Sequence, residues 1–321
     1  MRCERANPDA YNFGLQNRDM IRAGLNALKE DVQSFQTRET LHDRWRVFAT
    51  WAKSELEIKD MRKLETHHLQ QYAEHLRDRF ERDQISPATA QNYMSAVNRV
   101  MEIARGDNQV RVDPVREGGL PTRTGVCEQS RSATPKLHNL AISAASERVG
   151  VLLELQREFG LRFEESAKLN AEAALKQATT KSVIDIKDGT KGGRHRCVPI
   201  VSQQQVEVLQ RAAAIQDGRS LIPAHQTYKE FRQDAYKEAA RLPVNFHSER
   251  HHYAQERYLT LMRTECPVRA EVGHGRPHHQ YLAEKLKISV SHARALDKEI
   301  RSQIARELGH GRIDVTNSYL G

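Results

Sequence analysis

The stretch LGHGRIDVTNSY at residues 308–319 places a histidine, His310, shortly before a tyrosine, Tyr319. An apolar stripe leads up to this stretch and stops at Gly309, a residue type that commonly ends a helix. The stripe has helical spacing and consists of Leu296, Ile300, Ile304 and Leu308. Taken alone, the stretch could be a helix C-cap followed by an aromatic residue near the chain end. Its meaning depends on motifs upstream.

Three short motifs precede it along the chain. GLRFEE occupies residues 160–165, KGGRHRCVP occupies residues 191–199, and HSERH occupies residues 247–251. Ordinary alternatives exist, such as a surface arginine after a helix end for the first motif and an ion pair on one helix face for the last. A series of four motifs that supplies arginines, a lysine, histidines and a tyrosine is much harder to obtain by accident than any one of them.

These residue types suit the transfer of a phosphodiester from one oxygen to another. A tyrosine nucleophile retains the phosphate bond as an ester, so the reaction needs no metal and no energy-rich cofactor. Arginine has a planar fork that grips two phosphate oxygens and does not lose its charge. A general acid must protonate the departing 5′-oxygen. The four motifs therefore supply the groups that such a transfer needs, and we expect no cofactor and no metal.

In their order, the motifs resemble the GLRxxE, β-hairpin lysine, HxxR and LGH…Y boxes of the tyrosine recombinases, the phage-integrase family. The resemblance covers the chain from about residue 137 to its end. The first third is similar only in being a helical, SAM-like core-binding domain. The resemblance implies that Tyr319 is the nucleophile and that Arg162 and Arg250 clamp the scissile phosphate. Glu165 is implied as a supporting residue that orients the site.

The resemblance also implies the groups that move protons. Lys191 matches the hairpin lysine that protonates the leaving oxygen, and His247 matches the residue that assists proton transfer to and from the tyrosine. His310 matches a position that hydrogen-bonds a phosphate oxygen or positions the tyrosine. We therefore expect a site-specific recombinase that integrates or excises a mobile element. A non-cutting DNA-binding regulator and a relaxing enzyme similar to type IB topoisomerases remain as alternatives.

Composition is compatible with this interpretation. The formal net charge is +8 and the pI about 9.3, which suits double-stranded DNA as a partner. Four cysteines occur far apart without a CxxC pair, so a zinc ribbon or a disulfide framework is not expected. No apolar run has the length of a membrane span. We expect a cytoplasmic, nucleoid-associated protein of a prokaryote, phage or mobile element, acting as a homo-tetramer on DNA with an accessory bending or directionality factor.

The periodicities predict a mostly α-helical protein with a small antiparallel β-sheet. Residues 1–112 are expected to form the helical core-binding domain, with helices at 20–31, 37–53 and 65–82 and a further helix that starts at Ser86-Pro87. Residues 113–136 read as a linker rich in glycine and proline. Residues 137–321 are expected to form the catalytic domain, with a helix at 137–159 and a hairpin built from residues 182–187 and 196–201.

One face of the helix after Pro87 carries amides and arginines, which could contact base edges and phosphates or could simply be solvated. The DNA-binding candidates are Gln91, Asn92, Ser95, Asn98 and Arg99 on this helix, with Arg194 and Arg196 in the hairpin.

Two features depart from the family pattern. Residues 262–302 form a basic, histidine-rich insert, for which three alternatives stay open: a metal site at His274, His278 and His279, half of a helix-turn-helix, or a helical lid that adds phosphate contacts. In addition, the sequence stops two residues after Tyr319, without the helix that many relatives dock onto a neighbouring protomer. We expect either another coupling surface or a mobile segment around Tyr319, disordered in the free protein.

Overall fold

The computed structural model describes residues 7–321, and Cys3 therefore lies outside the described residues. The chain divides into two compact units, Met1–Thr124 and Gly125–Gly321. Both are built mainly of helices, and the second also contains a two-stranded antiparallel sheet. The expected fold class is confirmed. The division between the units falls inside the predicted linker at 113–136, and the predicted domain boundaries themselves stay a prediction.

The first unit packs its helices around an aromatic core that contains Trp45, Phe48 and Tyr72. Its last helix begins as the sequence predicts, because the Ser86 hydroxyl accepts the backbone N–H of Thr89 at 3.2 Å and a proline occupies the first turn. The predicted helices are present, with ends shifted by at most two residues. They are α1 Met20–Asp31, α2 Phe35–Glu55, α3 Thr66–Glu81 and α4 Pro87–Arg105.

The second unit contains the remaining helices and the sheet. Strands β1 (Val183–Ile186) and β2 (Arg196–Pro199) pair antiparallel, as predicted, with Ile184 opposite Val198. The alternation of the pleat turns Ile184, Ile186 and Val198 into the core. The helices are α5 Pro135–Ala144, α6 Glu147–Phe159, α7 Phe163–Lys168, α8 Ala171–Lys181, α9 Gln203–Ala214, α10 Tyr228–Ala239, α11 Phe246–Met262, α12 Pro267–Ala270, α13 Arg276–Leu286, α14 Val290–Glu307 and α15 Asn317–Leu320.

The single helix predicted at 137–159 is wrong, because the chain breaks between α5 and α6. Ala145 adopts an extended backbone, with a ψ of 155°. The backbone N–H and the hydroxyl of Ser146 donate to the carboxylate of Glu238, at 2.6 and 2.9 Å. A side chain from α10 therefore takes the hydrogen bond that a continuous helix would have made internally.

The insert consists of helices that pack on the second unit. Leu282 and Ala283 of α13 are buried in its hydrophobic core, as a packed helical lid would require. Helix α14 runs without a break through residue 302 and leads directly to Gly309, so the predicted end of the insert falls within a helix. Over residues 7–321, no helix is both long and apolar enough to cross a membrane. The same residues contain no cluster of three potential metal ligands.

Candidate active site

The GLRFEE motif forms the turn between α6 and α7. Arg162 stands at the N-cap of α7, where its backbone N–H donates to Glu165 Oε2 at 2.7 Å. Its Nη1 donates to Glu165 Oε1, also at 2.7 Å. The Glu165 side chain is fully buried, whereas that of Arg162 stays about a quarter exposed. The motif therefore presents an accessible guanidinium on a buried carboxylate.

Gly160 is needed in this turn for two reasons. It ends α6 in the left-handed region, with a φ of +61°, which glycine adopts without steric cost. A Cβ atom at this position would lie 2.6 Å from Cδ1 of Tyr253, so no side chain fits. The Gly160 carbonyl accepts a hydrogen bond from Nη1 of Arg250. The glycine thus lets the chain pass close enough to α11 to hold that arginine.

Arg250 on α11 lies at the centre of the site and is fully buried. Its Nε donates to the Tyr319 hydroxyl at 3.2 Å, and its Nη2 donates to the Leu308 carbonyl at 2.6 Å. The same Nη2 lies 3.3 Å from Nε2 of His310. One guanidinium thereby joins the HxxR helix to the LGH turn and the tyrosine, which follow about sixty residues later in the sequence.

Buried ion pairs fix α11 on both sides of Arg250. Glu249 Oε2 accepts from Arg157 of α6 at 2.7 Å. Further along, Arg257 pairs with Glu307 of α14 at 2.9 Å. Removing one partner of a buried pair leaves an uncompensated charge and costs about 3–5 kcal/mol, so these pairs hold the helix in one register.

Three histidines surround the tyrosine ring. The ring centroids of His247 and His310 each lie 5.6 Å from that of Tyr319, and the centroid of His251 lies 4.7 Å away. Burial, followed by the positive charge of Arg250, lowers the pKa of His310 to about 3, and the pKa of His247 is lowered by the same causes. These histidines are therefore neutral near pH 7, and each can accept a proton or a hydrogen bond.

The site carries a net positive charge. Although burial alone would raise it, the pKa of Glu165 is lowered to about 2, chiefly by hydrogen bonding to Arg196 and by the charges of Arg196, Arg162 and Arg250. Burial lowers the pKa of Arg250 to about 10, so this guanidinium stays protonated at neutral pH. Three guanidiniums around one carboxylate leave two positive charges, which suits an anionic group such as a phosphodiester.

The segment that carries Tyr319 is ordered by contacts at both of its ends. The Tyr319 side chain is buried, and its carbonyl accepts from Gln255 at 3.0 Å. Arg301 of α14 donates to the Asn317 side chain at 3.1 Å and to the Gly321 carbonyl at 3.0 Å. The expectation of a disordered tyrosine segment is therefore wrong, because these hydrogen bonds and the packing hold it against α11 and α14.

The candidate residues of the hairpin differ in their exposure to solvent. Lys191 and Arg194 are exposed, and Lys191 begins a short 3-10 turn, Lys191–Gly193, between the two strands. Arg196 is buried, and its Nη1 and Nη2 each donate to an oxygen of Glu165 at 2.6 Å. The assignment of Arg196 to DNA binding is therefore corrected, since Glu165 occupies its guanidinium.

Two of the candidates on α4 are corrected in the same way. The Gln91 side chain is buried and donates to the Pro121 carbonyl at 2.6 Å. The Asn98 amide exchanges two hydrogen bonds with the backbone of Val112, at 2.7 and 3.2 Å. These amides satisfy backbone groups rather than face outward. DNA contacts stay a prediction for the remaining three candidates on this helix: Asn92, Ser95 and Arg99.

The sequence interpretation missed four residues of the site: Arg196 as a partner of Glu165, His251, Gln255 and Arg301. The position of His251 directly after Arg250, as the last residue of HSERH, is a usable signal. Gln255 is also on α11, one turn further on. Arg301 gives no signal, since an arginine in an amphipathic helix is usually at the surface.

The arrangement can be compared with known proteins. Residues 119–256 match the family model described as integrase. Comparison with curated protein sequences finds no match. The fold is similar to that of a lambda integrase dimer bound to a COC′ core site, with a TM-score of 0.54 and 13% identity, covering 93% of this chain and 76% of that one.

It is also similar to the Tn1549 transposon integrase in complex with transposon right end DNA, with a TM-score of 0.53 and 11% identity, covering 94% of this chain and 95% of that one. At such identities the structural likeness establishes the fold. The family match adds the motifs from Arg162 to Arg250. The chain thus matches the integrase family model over residues 119–256, and over most of its length it shares the fold of these two integrases.

Proposed function

We propose that this protein is a site-specific DNA recombinase that cleaves and rejoins DNA through a covalent 3′-phosphotyrosyl link made by Tyr319. The observation that carries the proposal is the hydrogen bond from Arg250 Nε to the Tyr319 hydroxyl, in a cluster that also contains Arg162 and His310. A regulator that only binds DNA has no need for a tyrosine held on a buried, positively charged guanidinium.

The chemistry follows from the positions of the charges. Arg162 and Arg250 would hold the non-bridging oxygens of the scissile phosphate, where negative charge grows as the tyrosine oxygen attacks phosphorus. His247, neutral and next to the tyrosine ring, would take the phenolic proton. His310, also neutral, would donate to a phosphate oxygen or steady the tyrosine. Lys191 would protonate the departing 5′-oxygen. None of these steps calls on a metal or a cofactor.

Double-stranded DNA is the proposed partner, and the two similar structures support it because both are DNA complexes by their descriptions. The lambda integrase structure is described as a dimer, which supports assembly on DNA. We propose a homo-tetramer as the complete assembly, since exchange of two duplexes requires four strand cleavages. An accessory bending or directionality factor and a role in moving a mobile element rest on the family resemblance.

The decisive test is formation of a covalent adduct. A duplex carrying the candidate attachment site, nicked so that the cleaved fragment diffuses away, should trap a protein–DNA adduct that maps to Tyr319. Tyr319→Phe should abolish the adduct and leave DNA binding unchanged. An adduct formed by that variant would refute the assignment of the nucleophile.

Arg250→Ala should reduce adduct formation by about 10²–10³-fold, because it removes charge stabilisation that is already in place. Since Arg250 is buried, Arg250→Lys and a circular dichroism spectrum of each variant separate loss of chemistry from loss of folding. Binding without any adduct by the wild type would favour the non-cutting regulator. Relaxation of plasmids that lack the attachment site would favour a topoisomerase-like enzyme.

A further inference from the structure

We infer that Arg196 is a positioning residue for strand cleavage: by pairing with both oxygens of Glu165, it neutralises the carboxylate and leaves the positive charge of Arg162 and Arg250 available to the phosphate. The inference rests on the proposed function and extends it to a residue outside the expected catalytic set. Arg196 begins β2 and belongs to the same hairpin as Lys191. It contacts the carboxylate of Glu165 and the glycine of the LGH turn.

The geometry of the pair is specific. The Arg196 side chain is 2% exposed and that of Glu165 is fully buried. Nη1 donates to Oε1 and Nη2 donates to Oε2, both at 2.6 Å, which is the bidentate arrangement that arginine makes best with a carboxylate. The Arg250 Nη1 lies 4.0 Å from Oε2, beyond hydrogen-bonding distance. Arg162 donates to Oε1 through one side-chain nitrogen, at 2.7 Å. Arg196 is therefore the bidentate partner of the carboxylate, and Arg250 is not hydrogen-bonded to it.

The charges explain why this matters. One carboxylate neutralises one guanidinium, and the bidentate pair assigns that role to Arg196. Without Arg196, Glu165 would face Arg162 and Arg250 alone, and one net positive charge would remain where there were two. The oxygens released by Arg196 would attract the two guanidiniums that must turn toward the phosphate. A buried carboxylate competes strongly for such cations, because no water screens the attraction.

Arg196 also lies against the turn that carries His310. A Cβ atom added to Gly309 would be 3.0 Å from Arg196 Cδ and 3.2 Å from Nη1, so the arginine stem packs directly on this glycine. Gly309 has a φ of +69° and follows Leu308, whose carbonyl binds Arg250. Arg196 thus links the hairpin to the turn that shapes the phosphate-binding end of the site. Because both of its terminal nitrogens donate to Glu165, we do not expect Arg196 to contact DNA directly.

The test is a double-mutant cycle between Arg196 and Glu165. Single-turnover rates of adduct formation at saturating DNA are measured for wild type, Arg196→Gln, Glu165→Gln and the double variant. In the wild-type background we expect Arg196→Gln to slow adduct formation by about 10–100-fold. In the Glu165→Gln background the loss of rate caused by the same substitution should be at least about tenfold smaller. An equal loss in both backgrounds would overturn the inference, because Arg196 would then act independently of the carboxylate.

Arg194→Gln is the matched control, two residues away in the same hairpin and exposed. If it contacts a phosphate, it should weaken DNA binding and lower the salt dependence of binding by about one counterion. Arg196→Gln should leave both quantities unchanged. If Arg196→Gln instead lowers affinity and its salt dependence while the saturated rate stays normal, Arg196 is a DNA contact and the inference is wrong.

Folding and function are controlled separately. Arg196→Lys keeps the positive charge but not the bidentate fork. A rate of adduct formation between those of wild type and Arg196→Gln supports the inference, even where the glutamine variant is poorly folded. A wild-type rate for the lysine variant overturns it. A wild type that forms no adduct would refute the proposed function itself. A wild type that forms the adduct, with Arg196→Gln equally fast, would refute only the role of Arg196.

Discussion

Replacing Glu165 should destabilise the second unit in a manner that depends on pH. The pKa of this carboxyl is lowered from 4.5 to about 2, because hydrogen bonds and positive charge from Arg196, followed by the charges of Arg162 and Arg250, outweigh the effect of burial. A pKa difference of about 2.5 corresponds to about 3 kcal/mol, since each pKa unit is about 1.36 kcal/mol. Glu165→Gln should therefore lower the free energy of unfolding by about 3 kcal/mol at pH 7.

The sign of the pH effect follows from linkage. A carboxyl whose pKa is lowered on folding stabilises the protein at pH values above its unfolded pKa, and this stabilisation is lost as the pH falls toward the folded pKa. For Glu165 the window runs from about 4.5 down to about 2. By pH 3 about 2 kcal/mol of the difference between wild type and Glu165→Gln should be gone.

The two units can be observed separately by urea denaturation. The chain has two tryptophans, Trp45 and Trp51, and both lie in the first unit, so their fluorescence reports on that unit. Far-ultraviolet circular dichroism reports on the helices of both. We expect Glu165→Gln to shift the dichroism transition and leave the fluorescence transition in place.

Glu164→Gln serves as the control, because Glu164 is partly exposed and its ion pair, with Lys168, lies at the surface. A surface pair of this kind contributes less than about 1 kcal/mol. The difference in the free energy of unfolding between wild type and Glu165→Gln should be present at pH 7 and should shrink toward pH 3. If it is absent at pH 7, or constant from pH 7 to pH 3, the carboxylate does not stabilise the site through its charge.

Two further substitutions test the supports of the site. Arg301→Gln removes the hydrogen bonds to Asn317 and Gly321 together with the buried ion pair to Asp297. In the folded variant it should slow adduct formation by about 10²-fold at unchanged DNA affinity, because a misplaced nucleophile attacks poorly; an unchanged single-turnover rate would contradict this. Gly160→Ala should lower the free energy of unfolding by about 2–4 kcal/mol in chemical denaturation, because a left-handed alanine is strained and its Cβ would meet Tyr253 at 2.6 Å. Unaltered stability would mean that the turn adapts freely.

Features set by local chemistry were predictable from the sequence. The Ser86-Pro87 pair specifies the start of α4 because a hydroxyl cap and a proline act on the first turn alone. The order of the motifs indicated that Arg162, Arg250, His310 and Tyr319 belong together. Their side chains do meet, through Glu165 and Arg250, although the motifs are far apart in the chain.

Features set by a distant partner were not predictable. A strand arginine such as Arg196 is expected at the surface, and only Glu165 from another element makes its burial favourable. The break between α5 and α6 depends in the same way on Glu238 of α10. Gln91 has its partner, Pro121, thirty residues later in a segment that has no regular structure. In each case the deciding interaction connects residues that no sequence periodicity relates.

The exposed hairpin turn that carries Lys191 bears on the proposed role of this lysine as a general acid. The strands on either side are fixed by pairing and by the contact of Arg196 with Glu165. The turn itself is exposed, and within residues 7–321 the Lys191 side chain forms no ion pair. The glycine that follows it, Gly192, has a φ of +70° and open space around it. A lysine on such a turn can approach the leaving oxygen by movement of the turn alone.

The role of Lys191 as a general acid can be isolated through the leaving group. Lys191→Ala should slow cleavage of an ordinary phosphodiester by about 10²–10⁴-fold, the usual contribution of general acid catalysis. With a bridging sulfur in place of the departing 5′-oxygen the loss should almost vanish, because a thiol has a pKa near 8.5 and leaves as the anion without a proton. Tyr319→Phe stays inactive on both substrates as the control. If Lys191→Ala is equally slow on the oxygen and sulfur substrates, the lysine stabilises phosphate charge and some other group protonates the leaving oxygen.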